Sequence, residues 1–201
     1  MIHTQEDFAK SDALSDNQSA NDNEEFRVEP LMPIDEKAAV HLIRSNLAGF
    51  PEAGAVLAAT FRRIENLPLY YNAEGAKFFI VKSPSSGCCV GAVGIGPMAG
   101  LPVSEGVGEI RDLVVDETFR GRGLGRKLLS RCLAEAKALG YSRIYLETTP
   151  QMEKARRLFA SIGFVAVQQK SSPRSTEPGE MQFPCYFVLD LMIQRPEDLE
   201  D

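Results

Sequence analysis

The chain has 201 residues, 44% of them hydrophobic and 25% charged, enough to enclose one full core. No apolar run approaches the ~18 residues of a membrane helix, and the start lacks the basic and apolar regions of a secretory signal. A cytoplasmic protein is therefore expected, and the formal charge of −6 gives no basic stripe for nucleic acid.

That charge is unevenly placed. Residues 1–25 hold seven acids against one base, Lys10, so this tail carries the whole imbalance. Its Ser/Asn/Asp-rich composition offers too little apolar surface to offset ordering entropy, which predicts a disordered acidic N-terminal tail. Residues 26–194 read as one domain, and 195–201 as a short acidic C-terminal tail.

The domain opens with "FRVEPL", a short strand. Asp35 is placed to cap a helix over "EKAAVHLIRSNLAGF", with Ala39, Ile43 and Leu47 on one side and Gly49 near its end. A second helical pattern follows Pro51, with Val56, Leu57, Thr60, Phe61 and Ile64 on one side, closed by Pro68. The period then changes. "AKFFIVK" and "CCVGAVGI" flank the turn-rich "SPSSG", which predicts an antiparallel hairpin. Gly91, Gly94 and Gly96 sit within its second strand and point to bends and close packing. After a loop, "EIRDLVV" is a third strand, with Ile110, Leu113 and Val115 its apolar positions.

From Leu124 the spacing turns helical: Leu124, Leu128, Cys132 and Ala136 recur every four residues, and Gly140 is placed as the stop. "SRIYLETT" is a strand. Thr149 and Pro150 are expected to cap and open the next helix, whose stripe is Ala155, Leu158, Phe159 and Ile162, ended by Gly163. "FVAVQQ" and "CYFVLDLMI" are late strands. The predicted class is α/β (α+β): a mixed, mostly antiparallel central sheet of about seven strands with flanking helices. The strand–helix–strand around residues 109–148 requires a local parallel pair.

Cys88, Cys89, Cys132 and Cys185 form no C-x-x-C, and His3 and His41 lie far from them, so no metal site is expected. Adjacent Cys88 and Cys89 should face opposite sides of a strand, against a mutual disulfide. Cys132 lies on a helical apolar stripe and reads as core. His41 reads as a surface or packing residue.

The chemistry concentrates in "DLVVDETFRGRGLGRKLL", residues 112–129. A strand enters a turn with three glycines and three arginines, and a helix follows. The first amides of a helix lack internal partners, and the macrodipole places positive potential there. Gly121, Gly123 and Gly125 would let backbone approach an anion, while Arg120, Arg122 and Arg126 add forked donors suited to phosphate. The segment is not a Walker A loop. Its G-x-G-x-G spacing also differs from the dinucleotide fingerprint.

"EIRDLVVDETFRGRGLGRKLL" resembles the acyl-CoA-binding segment of the GNAT superfamily of N-acetyltransferases. Arg120, Gly123 and Gly125 match its Q/R-x-x-G-x-G/A signature. "LETTPQMEKARRLFASIGF" is similar to a second family segment, N-x-x-A-x-x-L-Y-x-x-x-G-F, through Ala155, Leu158, Gly163 and Phe164. The resemblance implies the acyl-CoA N-acyltransferase fold, acetyl-CoA as acyl donor, and no metal. It implies that the backbone of Leu113, Val114 and Val115 splays from its neighbour to hold the pantetheine arm. Amides across Arg120, Gly121, Arg122, Gly123, Leu124, Gly125 and Arg126 would hold the pyrophosphate, and Gln151, Lys154 and Arg156 would flank the thioester end of the cofactor. At two positions the chain departs from the family: Met152 replaces the asparagine, and Phe159 replaces the tyrosine that often protonates the leaving thiolate. A phenyl ring has no proton to donate. Tyr145 and Tyr186 are the nearby phenols.

Acyl transfer to an amine needs a proton acceptor. Glu109, at the start of the cofactor strand where family members often carry a glutamate, is the candidate catalytic base, and Glu147 is the second candidate. Arg111 and Asp112 could pair with substrate or with neighbours. The expected function is N-acetyl transfer from acetyl-CoA to the amine of a small molecule, amino acid or peptide, without nucleic-acid or membrane partners, as a monomer or homodimer. The alternatives are a non-catalytic acyl-CoA-binding or regulatory domain and, third, a nucleotide-binding protein.

Overall fold

A computed structural model of the chain describes residues 25–48, 60–167 and 185–192. The predicted acidic tails (1–24 of the first and all of the second), Gly49, Val56 and Leu57 lie outside these residues. No helix among the described residues is long and apolar enough to cross a membrane.

In chain order the elements are β1 (Val28–Pro30), α1 (Glu36–Leu47), a helical turn at 60–64, α2 (Leu67–Tyr71), β2 (Lys77–Lys82), β3 (Cys89–Pro97) and β4 (Val107–Val115). They continue with α3 (Leu124–Ala138), β5 (Arg143–Thr148), α4 (Glu153–Ile162), β6 (Val165–Val167) and β7 (Cys185–Asp190). The seven strands form one sheet in the order β1-β2-β3-β4-β5-β7-β6. Five neighbouring pairs are antiparallel; β4 and β5, joined through α3, are the parallel pair the sequence required.

Two apolar clusters lie on opposite faces of this sheet, and β2 shows why both are needed. Phe78 and Ile80 enter one cluster and Phe79 and Val81 the other, so a continuous apolar run is buried on both sides. The larger cluster sits under α3 and α4, where Leu124, Leu128, Cys132 and Ala136 are nearly inaccessible, as their four-residue spacing predicts. The smaller collects Ala39, Leu42 and Ile43 of α1, Ile64, and Leu67 and Tyr71 of α2. Gly140 and Gly163 end α3 and α4 with left-handed φ of 83° and 103°.

Three local expectations need correction. Asp35 occupies the N-cap position of α1 but makes no side-chain cap bond; its carboxylate pairs with Lys82 at 2.9 Å, a charge partner on β2 that outcompetes the helix amides. Pro68 does not close the preceding helix but lies in the first turn of α2, where its missing N–H costs nothing. Thr149 does not cap α4. Pairing of Thr148 with Cys185 keeps the strand extended to that point, and Met152 N–H donates to Thr149 O at 3.1 Å to close a turn with Pro150 inside it. The helix therefore starts at Glu153, with Met152 at the cap.

Candidate active site

The glycine–arginine loop is built from its strand end. Asp116 accepts from the backbone N–H and hydroxyl of Thr118 at 2.9 and 2.6 Å, and its own N–H donates to Val90 O at 2.8 Å. These bonds turn the chain sharply after β4. Gly121 and Gly123 then adopt left-handed φ of 82° and 76°, and nothing lies within 4 Å of where a Cβ would stand on either. Gly123 is the N-cap of α3, and the first helical bond runs from Lys127 N–H to Gly123 O. The amides of 124–126 thus face an open, uncrowded space at the positive end of a fifteen-residue helix.

The arginines are held beside that space. Arg120 donates to Val115 O at 3.1 Å and Asn46 Oδ1 at 2.8 Å, Arg122 lies 5.2 Å over the Phe119 ring, and Arg126 donates to Ser161 Oγ at 2.8 Å. Gly125 serves packing: a Cβ there would come within 3.1 Å of Leu158 Cδ2 on α4. Leu124 has its side chain in the core, so only its backbone faces the space. Gln151, Lys154 and Arg156 are exposed around the start of α4. They precede the Leu158–Ser161 stretch that touches the loop by up to two helical turns.

Beside the loop the sheet opens. The β4–β5 ladder ends at Ile110 and Leu146, although the strands run on to Val115 and Thr148. Past that point the backbone of Leu113, Val114 and Val115 has lost its partner on the β5 side, leaving a slot that begins at the α3 N-terminus. The donor groups fit an acyl-CoA: bare amides and arginines for its phosphates, and an unpaired strand edge for an amide-bearing arm.

The strand also bulges there. Gly94 pairs with Arg111 and Ala92 with Val114, so Val93 alone faces both Asp112 and Leu113. Asp112 has φ 57°, the positive-φ non-glycine residue of the described chain. Its buried carboxylate, 1% exposed, accepts from Arg63 Nε at 2.9 Å and Tyr71 Oη at 2.7 Å, with a second Arg63 bond through Nη2. Burial, then the Asp112 charge, holds the Tyr71 hydroxyl well above its ordinary pKa.

A polar patch completes the site. Strand alternation puts Glu109, Arg111, Tyr145, Glu147 and Tyr186 on the sheet face opposite α3 and α4. The cluster under α1 and α2 does not extend over them. Arg111 Nη2 is bonded to both Glu109 and Pro97 O. The Glu147 carboxyl is raised above its ordinary pKa by burial first and the Glu109 charge second, with Arg63 opposing. Tyr186, directly across from Glu147, is likewise raised by burial and by the two glutamates.

Phe159 lies in the main core, 5.7 Å from Phe187 and 6.1 Å from Phe164 between ring centroids. His41 is exposed, Cys132 is fully buried with its thiol pKa pushed up, and Cys88 and Cys89 are free thiols. The Arg63–Asp112–Tyr71 group was not assigned to the site from sequence. Its trace there is the spacing of Ile110, Leu113 and Val115, three and then two, which breaks the period of a flat strand.

The profile of the Acetyltransferase (GNAT) family matches residues 48–164. The uncharacterised N-acetyltransferase YjgM of Escherichia coli is 30% identical over 101 residues, 50% of this chain and 58% of that protein. A probable glucosamine 6-phosphate N-acetyltransferase of Oryza sativa is 41% identical over 59 residues, 29% of this chain and 34% of that protein. The chain thus spans less than two thirds of these relatives. Among solved structures, yncA of Salmonella typhimurium, determined with acetyl-CoA, superposes with a TM-score of 0.60 at 21% identity, covering 84% of this chain and 95% of that one.

Proposed function

Because the chain belongs to the GNAT family of acetyltransferases, we propose that it transfers an acetyl group from acetyl-CoA to the amine of a small molecule, amino acid or peptide by direct attack. The observation that carries this reading is the parting of β4 from β5 beside the open α3 N-terminus. Residues 26–194 would form the catalytic domain.

Acetyl-CoA supplies the acyl group as a thioester. The amides from Gly121 to Arg126 would hold its pyrophosphate, with Arg120, Arg122 and Arg126 around it, while Gln151 just before α4, and Lys154 and Arg156 on it, would flank the thioester end of the cofactor. The backbone of Leu113, Val114 and Val115 would pair with the pantetheine arm. An N–H of that strand can stabilise negative charge on the acyl oxygen, since it is fixed in place before the reaction.

The incoming amine must be neutral to attack, and the polar patch supplies the groups for that. Glu109 lies on β4 itself, the strand that would hold the donor, but its carboxylate is engaged by Arg111. Glu147 has no such ion pair among the described residues, and its raised pKa suits a proton acceptor. The two therefore act as a pair, with Glu109 orienting the amine and Glu147 or an intervening water taking its proton. Tyr186, across from Glu147, is the phenol best placed to assist the leaving thiol in the absence of one at Phe159.

A second reading rests on Phe159 itself: with a core phenylalanine at that position, the domain would bind acyl-CoA without turnover. Purified full-length protein, acetyl-CoA and a panel of amines, with thiol release followed alongside CoA titration calorimetry, separates the readings. Release with acetylated product supports the transferase. Binding without release across the panel supports the second reading, and absence of CoA binding refutes both.

A further inference from the structure

We propose that Asp112 is a positioning residue: its left-handed backbone, anchored by Arg63 and Tyr71, sets the bulge that turns β4 into the slot. This inference rests on the donor-binding reading given above.

The bulge falls at the residue pair where it has most effect. The last β4–β5 partner is Ile110, and the two-against-one step at Asp112 and Leu113 follows at once. An unbulged strand would alternate from Ile110 through residues 112 and 114 toward the main core. Here Leu113 and Val115 pack against that core instead, and Val114 packs against the smaller cluster. One inserted residue has exchanged the faces of everything after it. The same exchange rotates the peptide groups of 113–115, whose free edge borders the slot.

A left-handed residue inside a strand is costly for any side chain except glycine, with asparagine and aspartate the more tolerant. The anchors explain how it persists. Arg63 grips the carboxylate with two nitrogens and is itself fixed to Thr60 Oγ1 at 3.2 Å, while Tyr71 donates to the same carboxylate from α2. Tyr71 reaches Asp112 only because Gly94 on β3 has no side chain: a Cβ there would stand 2.4 Å from the phenol ring and oxygen. Residues from β3, β4, α2 and the 60–64 turn thus converge on one backbone angle. None of them lies in the glycine–arginine loop, and Arg63 adjoins the polar patch closely enough that its charge acts on Glu147.

The test compares Asp112→Gly with Asp112→Ala in the full chain. Both remove the carboxylate and leave Arg63 equally unpaired; they differ in tolerance of positive φ. CoA affinity is measured by calorimetry below each variant's melting midpoint, with kcat and KM for acetyl-CoA alongside. Asp112→Gly should bind CoA within about threefold of the parent, and Asp112→Ala about tenfold or more weaker. Equal affinities for Asp112→Ala and parent would overturn the inference, as would equal losses in both variants. If Asp112→Ala does not fold, Asp112→Asn serves in its place, expected within about threefold because asparagine accepts the conformation; a tenfold loss there also overturns it. A parent that binds no CoA would instead refute the donor assignment.

Discussion

Gly94→Ala is the substitution whose cost the structure fixes most directly. The new methyl carbon would stand 2.4 Å from Cε1, Cζ and Oη of Tyr71, well inside contact distance, so the ring must move. It has little room: Tyr71 is 5% exposed and its ring centroid lies 4.7 Å from that of Phe78. Overpacking of this kind costs about 1–3 kcal/mol. Displacing the ring also breaks the Tyr71–Asp112 bond, and a hydrogen bond to a charged group contributes about 1.5–3 kcal/mol. The sum is about 2.5–6 kcal/mol, or a fall of about 5–24 °C in Tm for a chain of this size. Gly96→Ala is the control on the same strand face, since its methyl would meet its neighbours at 3.5 and 3.6 Å, an ordinary contact. It should be neutral or slightly stabilising, because alanine loses less backbone freedom on folding. Urea unfolding followed by circular dichroism measures both. Within a Tyr71→Ala background the Gly94→Ala cost should largely vanish. A Gly94→Ala protein within about 0.5 kcal/mol of the parent, or a Gly96→Ala protein equally damaged, would refute the packing argument.

Gly123→Glu should abolish CoA binding by setting a carboxylate and a strained φ at the α3 N-terminus; calorimetry showing parental affinity would remove the loop from the site. Glu147 has a folded pKa above its unfolded value, so the folded state holds its proton more tightly. Its contribution to stability is present below the unfolded carboxylate pKa and is lost as pH rises through the folded one. Glu147→Gln should therefore raise Tm relative to the parent at pH 8, with the gain shrinking as pH falls toward 4; a gain that grows on acidification has the wrong sign. Alkylation under native conditions should label the exposed Cys88 readily and leave the fully buried Cys132 unlabelled, as peptide mapping by mass spectrometry would read. Rapid labelling of Cys132 would contradict its place in the core.

Much of this architecture was legible because local and global signals agree. The four-residue recurrence from Leu124 to Ala136, the glycine stops at 140 and 163, and the turn-rich link between β2 and β3 each admit one structure. The turn of the loop was legible because glycines at a strand–helix junction supply the left-handed angles that Gly121 and Gly123 adopt. Thr149 misled because capping propensity is a local preference, while the strand pairing that keeps Thr148 extended comes from a segment 37 residues away. Asp112 was hidden for a related reason. Its partners Arg63 and Tyr71 lie 49 and 41 residues upstream, and no local pattern announces a long-range ion pair. The irregular apolar spacing around it was visible but takes on meaning only with the strand register known. Glu147 shows the limit for chemistry: a glutamate at a strand end is unremarkable until Glu109 and Tyr186 are placed around it.

The parting of β4 from β5 has a kinetic consequence. A gap in a sheet has two mouths, one at the α3 and α4 termini and one at the Glu109–Glu147 patch. On the proposed function, a donor entering by the first would leave the second clear, so an acceptor could arrive while the donor is in place. Initial-rate plots at several fixed donor concentrations would then intersect rather than run parallel. Each product would leave by the door through which its parent came.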